Sequence, residues 1–210
     1  MTKRPSSKHN SVKNKHNSGK SKTAKLRIIG GEWRSRQLPI PDLEGLRPTP
    51  DHVRETLFNW LSPHVPGAVC ADLFCGSGAL GLEALSRGAK HVTFVDSALP
   101  VTKQMLNNLT TLQTHQGQVI TQGAESYLQQ SPQNKFDLVF LDPPFRKGWL
   151  EKIIPLLQND WLAERALVYI EMEKESSLPE LPVHWQLKKE KTAGQLTYRL
   201  FEVICPPMKT

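Results

Sequence analysis

The stretch Ala68-Val69-Cys70-Ala71-Asp72-Leu73-Phe74-Cys75-Gly76-Ser77-Gly78-Ala79-Leu80-Gly81-Leu82-Glu83 decides the fold. An apolar run of strand character meets a glycine turn, and a helix-forming run follows. The spacing Gly76-x-Gly78-x-x-Gly81 fits the dinucleotide fingerprint, a pattern that is weak alone but marks a strand–turn–helix unit. The same alternation continues downstream. Strands are expected at 68–74, 91–96, 117–121, 136–141 and 165–171, with helices near 79–87, 98–109, 123–130 and 148–158. Segments 184–190 and 195–204 alternate polar and apolar residues around Ala193-Gly194, which reads as an antiparallel hairpin. Parallel βαβ units ending in a hairpin imply an α/β fold, a doubly wound and mostly parallel sheet with helices on both faces.

Upstream, Leu26-Arg27-Ile28-Ile29 reads as a short strand and Gly30-Gly31 as a turn. Trp33-Arg34-Ser35-Arg36-Gln37-Leu38 is the expected hairpin partner. Pro39, Pro41 and Pro48 make an extended loop. Thr49 is the expected N-cap of a helix with Pro50 at its first position. Val53, Leu57, Trp60 and Leu61 recur at helical spacing, and the helix should end before Pro63.

Charge is unevenly placed along the 210 residues. Residues 1–25 carry eight basic and no acidic side chains, against a net +7 for the whole chain. The remainder is left with 19 basic and 20 acidic residues, so basicity belongs to the tail and not to the folded body. That tail is rich in Ser, Asn and Lys and too poor in apolar groups to offset its ordering entropy, so disorder is expected. It reads either as a polyanion-attracting arm or as a solubilising leader. Three scattered cysteines, Cys70, Cys75 and Cys205, show neither metal spacing nor a disulfide framework. No run approaches the roughly 18–20 apolar residues of a membrane span. A cytoplasmic protein that uses no metal and touches no membrane is expected.

Asp96 ends the second strand of the alternation, where a carboxylate can accept from both hydroxyls of a ribose. This is common to enzymes of nicotinamide dinucleotides and of S-adenosylmethionine. Asp72 separates them. It stands four residues before Gly76, where the centre of the cofactor must cross the strand end. A pyrophosphate there would be repelled by the carboxylate, whereas the sulfonium and ammonium of S-adenosylmethionine would be held. Asp72 can equally serve as a local acceptor for turn amides. Gly123-Ala124 follows the third strand and would lie along the adenine edge, or be an ordinary turn.

The run Leu138-Val139-Phe140-Leu141 stops at Asp142-Pro143-Pro144-Phe145. Proline cannot continue a ladder, so a stiff loop presents a carboxylate, an acceptor carbonyl and an aromatic ring at the strand's carboxyl edge. An exocyclic amine on a nucleobase is a poor nucleophile because its lone pair is delocalised into the ring. Two acceptors on its hydrogens, Asp142 and the Pro143 carbonyl, favour pyramidalisation and free that pair for a methyl group. Phe145 can stack on a base flipped out of its surroundings, and Arg146, which follows, reads either as a phosphate contact or as a solvated basic residue of the loop.

The motifs Asp72-Leu73-Phe74-Cys75-Gly76-Ser77-Gly78 and Asp142-Pro143-Pro144-Phe145 resemble those of class I amino-methyltransferases. Gly45-Leu46-Arg47-Pro48-Thr49-Pro50-Asp51-His52-Val53-Arg54-Glu55-Thr56-Leu57-Phe58-Asn59-Trp60-Leu61 narrows this. Together with Arg27-Ile28-Ile29-Gly30-Gly31, the run Ala79-Leu80-Gly81-Leu82-Glu83-Ala84-Leu85-Ser86-Arg87-Gly88 and Ala193-Gly194-Gln195, the chain resembles the RsmD-type family over about residues 26–204. That family methylates guanine N2 in small-subunit (16S) ribosomal RNA. The resemblance implies a seven-stranded, Rossmann-like class I sheet, S-adenosylmethionine as donor, and an assembled or partly assembled small subunit as partner.

It also implies that Asp72, Gly76, Gly78 and Asp96 bind cofactor, and that Asp142, Pro143 and Phe145 handle the base; Ser77 in the glycine loop and Gly123 and Ala124 after the third strand join the cofactor candidates by position alone. Arg47, Thr49 and Arg54 fall in the segment that closes over the cofactor and faces the RNA in such enzymes. The resulting division is a tail at 1–25, a hairpin, loop and helix covering the cleft at 26–66, and a methyltransferase domain at 67–206. A monomer is expected. The family often has Ala at the Cys75 position and an acidic pair where this chain has Asp96-Ser97; neither change removes a needed group.

Trp33, with Arg34 and Arg36, reads either as an RNA-stacking hairpin or as a hydrophobic lid. Glu171, at the end of the fifth strand, either faces the cleft or, as expected here, ends its strand in solvent, and Trp149 and Trp161 are expected to pack around the following helix. Competing functions are an adenine-N6 methyltransferase on DNA or RNA, since the acceptor loop suits any conjugated amine, and a non-catalytic ribosome-assembly RNA-binding protein. A nicotinamide-dependent dehydrogenase is disfavoured by Asp72.

Overall fold

A computed structural model of the chain describes residues 24–43, 46, 48–145 and 147–205. The basic tail up to residue 23, Gly45, Arg47 and Arg146 lie outside the described residues. The elements in chain order are β1 (Lys25–Arg27), β2 (Gln37–Pro39), α1 (Asp51–Leu61), β3 (Val69–Asp72), α2 (Ala79–Ser86), β4 (His91–Asp96) and α3 (Leu99–Leu112). They continue with β5 (Gly117–Thr121), α4 (Ala124–Leu128), β6 (Phe136–Leu141), α5 (Trp149–Leu157), β7 (Leu162–Glu173), β8 (Trp185–Ala193) and β9 (Leu196–Ile204). β1 begins one residue inside the stretch read as tail, because Lys25 pairs with Pro39 and the Ala24 carbonyl accepts from the Ile40 amide.

Seven strands form one sheet in the order β5-β4-β3-β6-β7-β9-β8. The first five are parallel to their neighbours, and β9 and β8 add antiparallel. This is the expected doubly wound sheet with its terminal hairpin. Strand alternation divides the core. Leu138 and Phe140 point to the face covered by α1, α2 and α3 with Leu57, Phe58, Leu82 and Met105. Val139 and Leu141 point to the face covered by α4 and α5 with Leu128, Ile153 and Leu157. Central strands buried on both faces explain the near-continuous apolar runs. Strand order reverses between β3 and β6, and the crevice outside their carboxyl ends is where such sheets bind ligands.

The N-terminal hairpin is clamped onto α2. Glu83, fully buried, accepts from the Ile29 and Gly30 amides, both at 2.8 Å, and Ser86 Oγ accepts from the Trp33 amide at 2.9 Å. Trp33 itself lies in the core, which rules out the RNA-stacking reading of its ring. Arg34 and Arg36 remain exposed, with Arg36 donating to the Thr111 carbonyl. Thr49 is not the cap of α1 either. Pro50 takes that position at φ −56° and ψ 146° without a side-chain cap, and the Thr49 hydroxyl turns towards Asp142. Among the described residues, no helix is long and apolar enough to cross a membrane.

Candidate active site

Four adjacent strands each deliver a carboxylate to one edge of the sheet. Asp96 closes β4, Asp72 closes β3, Asp142 follows the last residue of β6, and Glu171 lies near the end of β7. All four line one cavity of about 780 Å³. The same cavity is walled by Gly76, Ser77, Gly123 and Ala124 on one side and by Thr49, Pro143, Phe145 and Trp149 on the other. Residues spread over a hundred positions of sequence are thus brought together.

The glycine turn is held by the acids around it. The Gly76 amide donates to Asp96 Oδ2 at 3.0 Å, and the Ala98 amide donates to Asp96 Oδ1 at 2.8 Å. Gly76 has φ +47° and lines the cavity, and a Cβ there would lie 3.0 Å from Leu46 Cδ1. Gly78, also at positive φ, stands behind the turn: a Cβ there would lie 2.2 Å from Met105 Cε. Gly81 allows α2 to pack on β4, because a Cβ there would lie 2.3 Å from the Phe94 ring.

Asp72 braces the turn and also faces the cavity. Its Oδ2 accepts from the Gly81 amide at 3.0 Å, and the residue forms part of the cavity wall. Burial pushes its carboxyl up to about 7, opposed by the Gly81 hydrogen bond and reinforced by Asp96. A buried acid in that state is suited to a cationic ligand.

Asp142 sits where Pro143 and Pro144 stop the ladder. Burial first, then the charges of Glu171 and Asp72, push its carboxyl well above the usual range, and the Thr49 hydroxyl, 3.5 Å from Oδ2, opposes that shift. Pro143 is buried, whereas the Phe145 ring is 43% exposed at the rim, available for stacking. Trp149, expected to pack around its helix, packs on Phe74 with ring centroids 5.7 Å apart and faces the cavity.

Two expectations are corrected here. Arg54 does not face the cleft. It is 1% exposed, with Nη2 donating to Asp51 Oδ1 and the Arg27 carbonyl, and Nε donating to the Thr49 carbonyl. It therefore holds the backbone of Thr49 from below and cannot reach RNA. Glu171 does not end its strand in solvent. β7 runs on to Glu173, and Glu171 is 3% exposed, with the Tyr169 hydroxyl donating to Oε2 at 2.9 Å. Burial pushes its carboxyl up to about 7. Among the described residues, no group of three or more His, Cys, Asp or Glu side chains is arranged to hold a metal ion.

The family model for conserved hypothetical protein 95 matches residues 26–202. Ribosomal RNA small subunit methyltransferase D of Escherichia coli K12 is 52% identical over 185 residues, covering 87% of this chain and 92% of the relative. The protein of the same name from Haemophilus influenzae is 50% identical over 182 residues, covering 84% of this chain and 93% of the relative. The solved structure of yhhF from Escherichia coli superposes with a TM-score of 0.82 at 50% identity, covering 87% of this chain and all of the other. The chain belongs to the conserved hypothetical protein 95 family, that of ribosomal RNA small subunit methyltransferase D.

Proposed function

We propose that this protein transfers a methyl group from S-adenosylmethionine to the exocyclic N2 of a guanine in small-subunit ribosomal RNA, on an assembled or partly assembled subunit. The observation that carries this is the shared cavity: Asp72 and Asp96 on one side of the reversal in strand order, and Asp142-Pro143-Pro144-Phe145 on the other. The names of the relatives support ribosomal RNA of the small subunit as the substrate class.

The residues present fit the donor. Asp96 stands at the end of β4 for the ribose hydroxyls, and Gly123 and Ala124 line the wall for the adenine. Asp72 and the Gly76 backbone lie between them and Asp142, where a sulfonium would sit. When bound, S-adenosylmethionine supplies an electrophilic methyl group that needs neither metal nor acid for its departure. On the acceptor side, Asp142 and the Pro143 carbonyl take the two hydrogens of the amine, and Phe145 stacks on the base. Asp142 in its ionised form then has the proton affinity to receive the proton that the methylated nitrogen sheds. Positioning is the larger contribution, since the proline-stiffened loop holds both acceptors in place before the substrate arrives.

The test is transfer of label from tritiated donor to small subunits from a strain lacking the homologous enzyme, followed by nucleoside analysis. N2-methylguanine is expected. N6-methyladenine would reassign the acceptor, and no transfer in any assembly state would sink the reading.

A further inference from the structure

The β6–β7 register pairs Phe140 with Tyr169 and Leu141 with Ile170. One step further sets Asp142 beside Glu171, on strands about 4.8 Å apart, with paired side chains on one face. That face is the one where Phe140, Tyr169 and Tyr198 pack against one another beneath α1. In the order β4-β3-β6-β7, Glu171 lies beyond Asp142 on the side away from Asp72 and Asp96. It is therefore on the acceptor side of the cavity, and the chemistry above gives it no task.

A carboxylate 3% exposed is costly unless a ligand or partner uses it. Among the described residues, no Lys or Arg pairs with Glu171, and its donor is the neutral Tyr169 hydroxyl, bound to Oε2. A carboxylate accepts through both oxygens, so the group retains acceptor capacity towards the cavity it lines.

A guanine whose N2 amine rests on Asp142 and Pro143 presents its next ring position, N1–H, as a donor. Adenine, held by its N6 amine, would present a bare N1 lone pair instead. We propose that Glu171 selects guanine by accepting from N1–H of the flipped base while Asp142 and Pro143 hold the amine. This rests on the amine-methylation reading and sharpens it. An acceptor built to meet an N–H rejects the analogue lacking it, because the buried oxygen is then left against a lone pair. The Tyr169 hydroxyl fixes the carboxylate for that contact.

The wild-type protein first locates its guanosine on small subunits lacking the modification, and that nucleotide is then replaced by 2-aminopurine in subunits reassembled from ligated RNA. 2-Aminopurine keeps the 2-amine but has no hydrogen on N1. Wild type should prefer guanine in kcat/KM by at least roughly a hundredfold. Glu171→Gln, whose amide can donate to N1, should lower kcat/KM for guanine by roughly ten- to a hundredfold and bring the two bases within about tenfold of each other. Its affinity for S-adenosylmethionine should stay within about twofold of wild type, since the cofactor lies on the other side of Asp142. Equal use of the two bases by wild type overturns the proposal without any variant. An unchanged ratio in Glu171→Gln overturns it as well. If wild type transfers nothing to guanine N2, the underlying reading fails first, and the two failures are told apart.

Discussion

Arg54 Nη1 lies 3.5 Å from Glu83 Oε2, and both side chains are 1% exposed or less. Glu83 also accepts from Arg87 Nε at 2.7 Å and from the two hairpin amides. One carboxylate on α2 therefore joins the hairpin, α1 and the helix that follows the glycine turn. Removing one partner of a buried pair leaves the other charge uncompensated. Glu83→Ala should cost about 3–5 kcal/mol, read as a lower urea midpoint at unchanged slope. Arg54→Met should cost less, because Glu83 keeps Arg87 and both amides. The reverse order would mean that the network is not centred on Glu83.

Asp142 is assigned two tasks, as acceptor for the amine and as receiver of its proton. Asp142→Ala removes both and should slow transfer by at least about a hundredfold, while calorimetry still shows S-adenosylmethionine binding. Asp142→Asn keeps an acceptor oxygen and should retain more activity than Ala. Loss of cofactor binding in both variants would move Asp142 to the donor side of the cavity.

Helix α2 approaches β4 closely only because residue 81 has no side chain. Gly81→Ala forces a methyl into the Phe94 ring, which is fully buried and cannot swing aside. A loss of about 1–3 kcal/mol is expected from overpacking. Gly123 meets nothing within 4 Å, so Gly123→Ala should stay within about 0.5 kcal/mol of wild type. Thermal or urea unfolding of the two variants side by side checks the contrast.

Asp72, Gly76, Asp96 and Asp142 could be found in the sequence because each is adjacent to its own punctuation. A glycine turn follows Asp72, a strand ends at Asp96, and two prolines follow Asp142. Glu171 has no such mark. Met172 and Glu173 continue its strand, and only the pairing of β7 with β6 brings it beside Asp142. The burial of Arg54, and the choice between the two readings of Trp33, are not legible for a related reason. Nothing local to either residue announces Glu83 and Ser86, the α2 groups that receive them. Thr49 followed the local rule for a cap until Asp142, from another strand end, offered its hydroxyl a partner. Positions governed by local turn chemistry are legible; those governed by a partner on another element are not.

Asp72 gives the site a pH dependence whose sign can be worked out. Its carboxyl is raised by burial from 3.8 to about 7. Between those values the folded protein holds a proton that the unfolded chain has released, so the associated stability is present below about pH 4 and is lost as pH rises through about 7. Glu171, raised by burial to about 7, adds a slope of the same sign. A cationic ligand reverses the preference, because a sulfonium or ammonium beside Asp72 favours the ionised form. Affinity for S-adenosylmethionine should therefore rise from pH 6 to 8 and then level off, with proton release on binding at the lower pH. S-adenosylhomocysteine, which lacks the sulfonium charge, should show a weaker dependence. Asp72→Asn keeps an acceptor for the Gly81 amide but cannot ionise, so it should bind more weakly at pH 8 and lose most of the slope. Calorimetry in buffers of different ionisation enthalpy measures both quantities. A flat wild-type profile would mean that Asp72 is only a brace for the glycine turn.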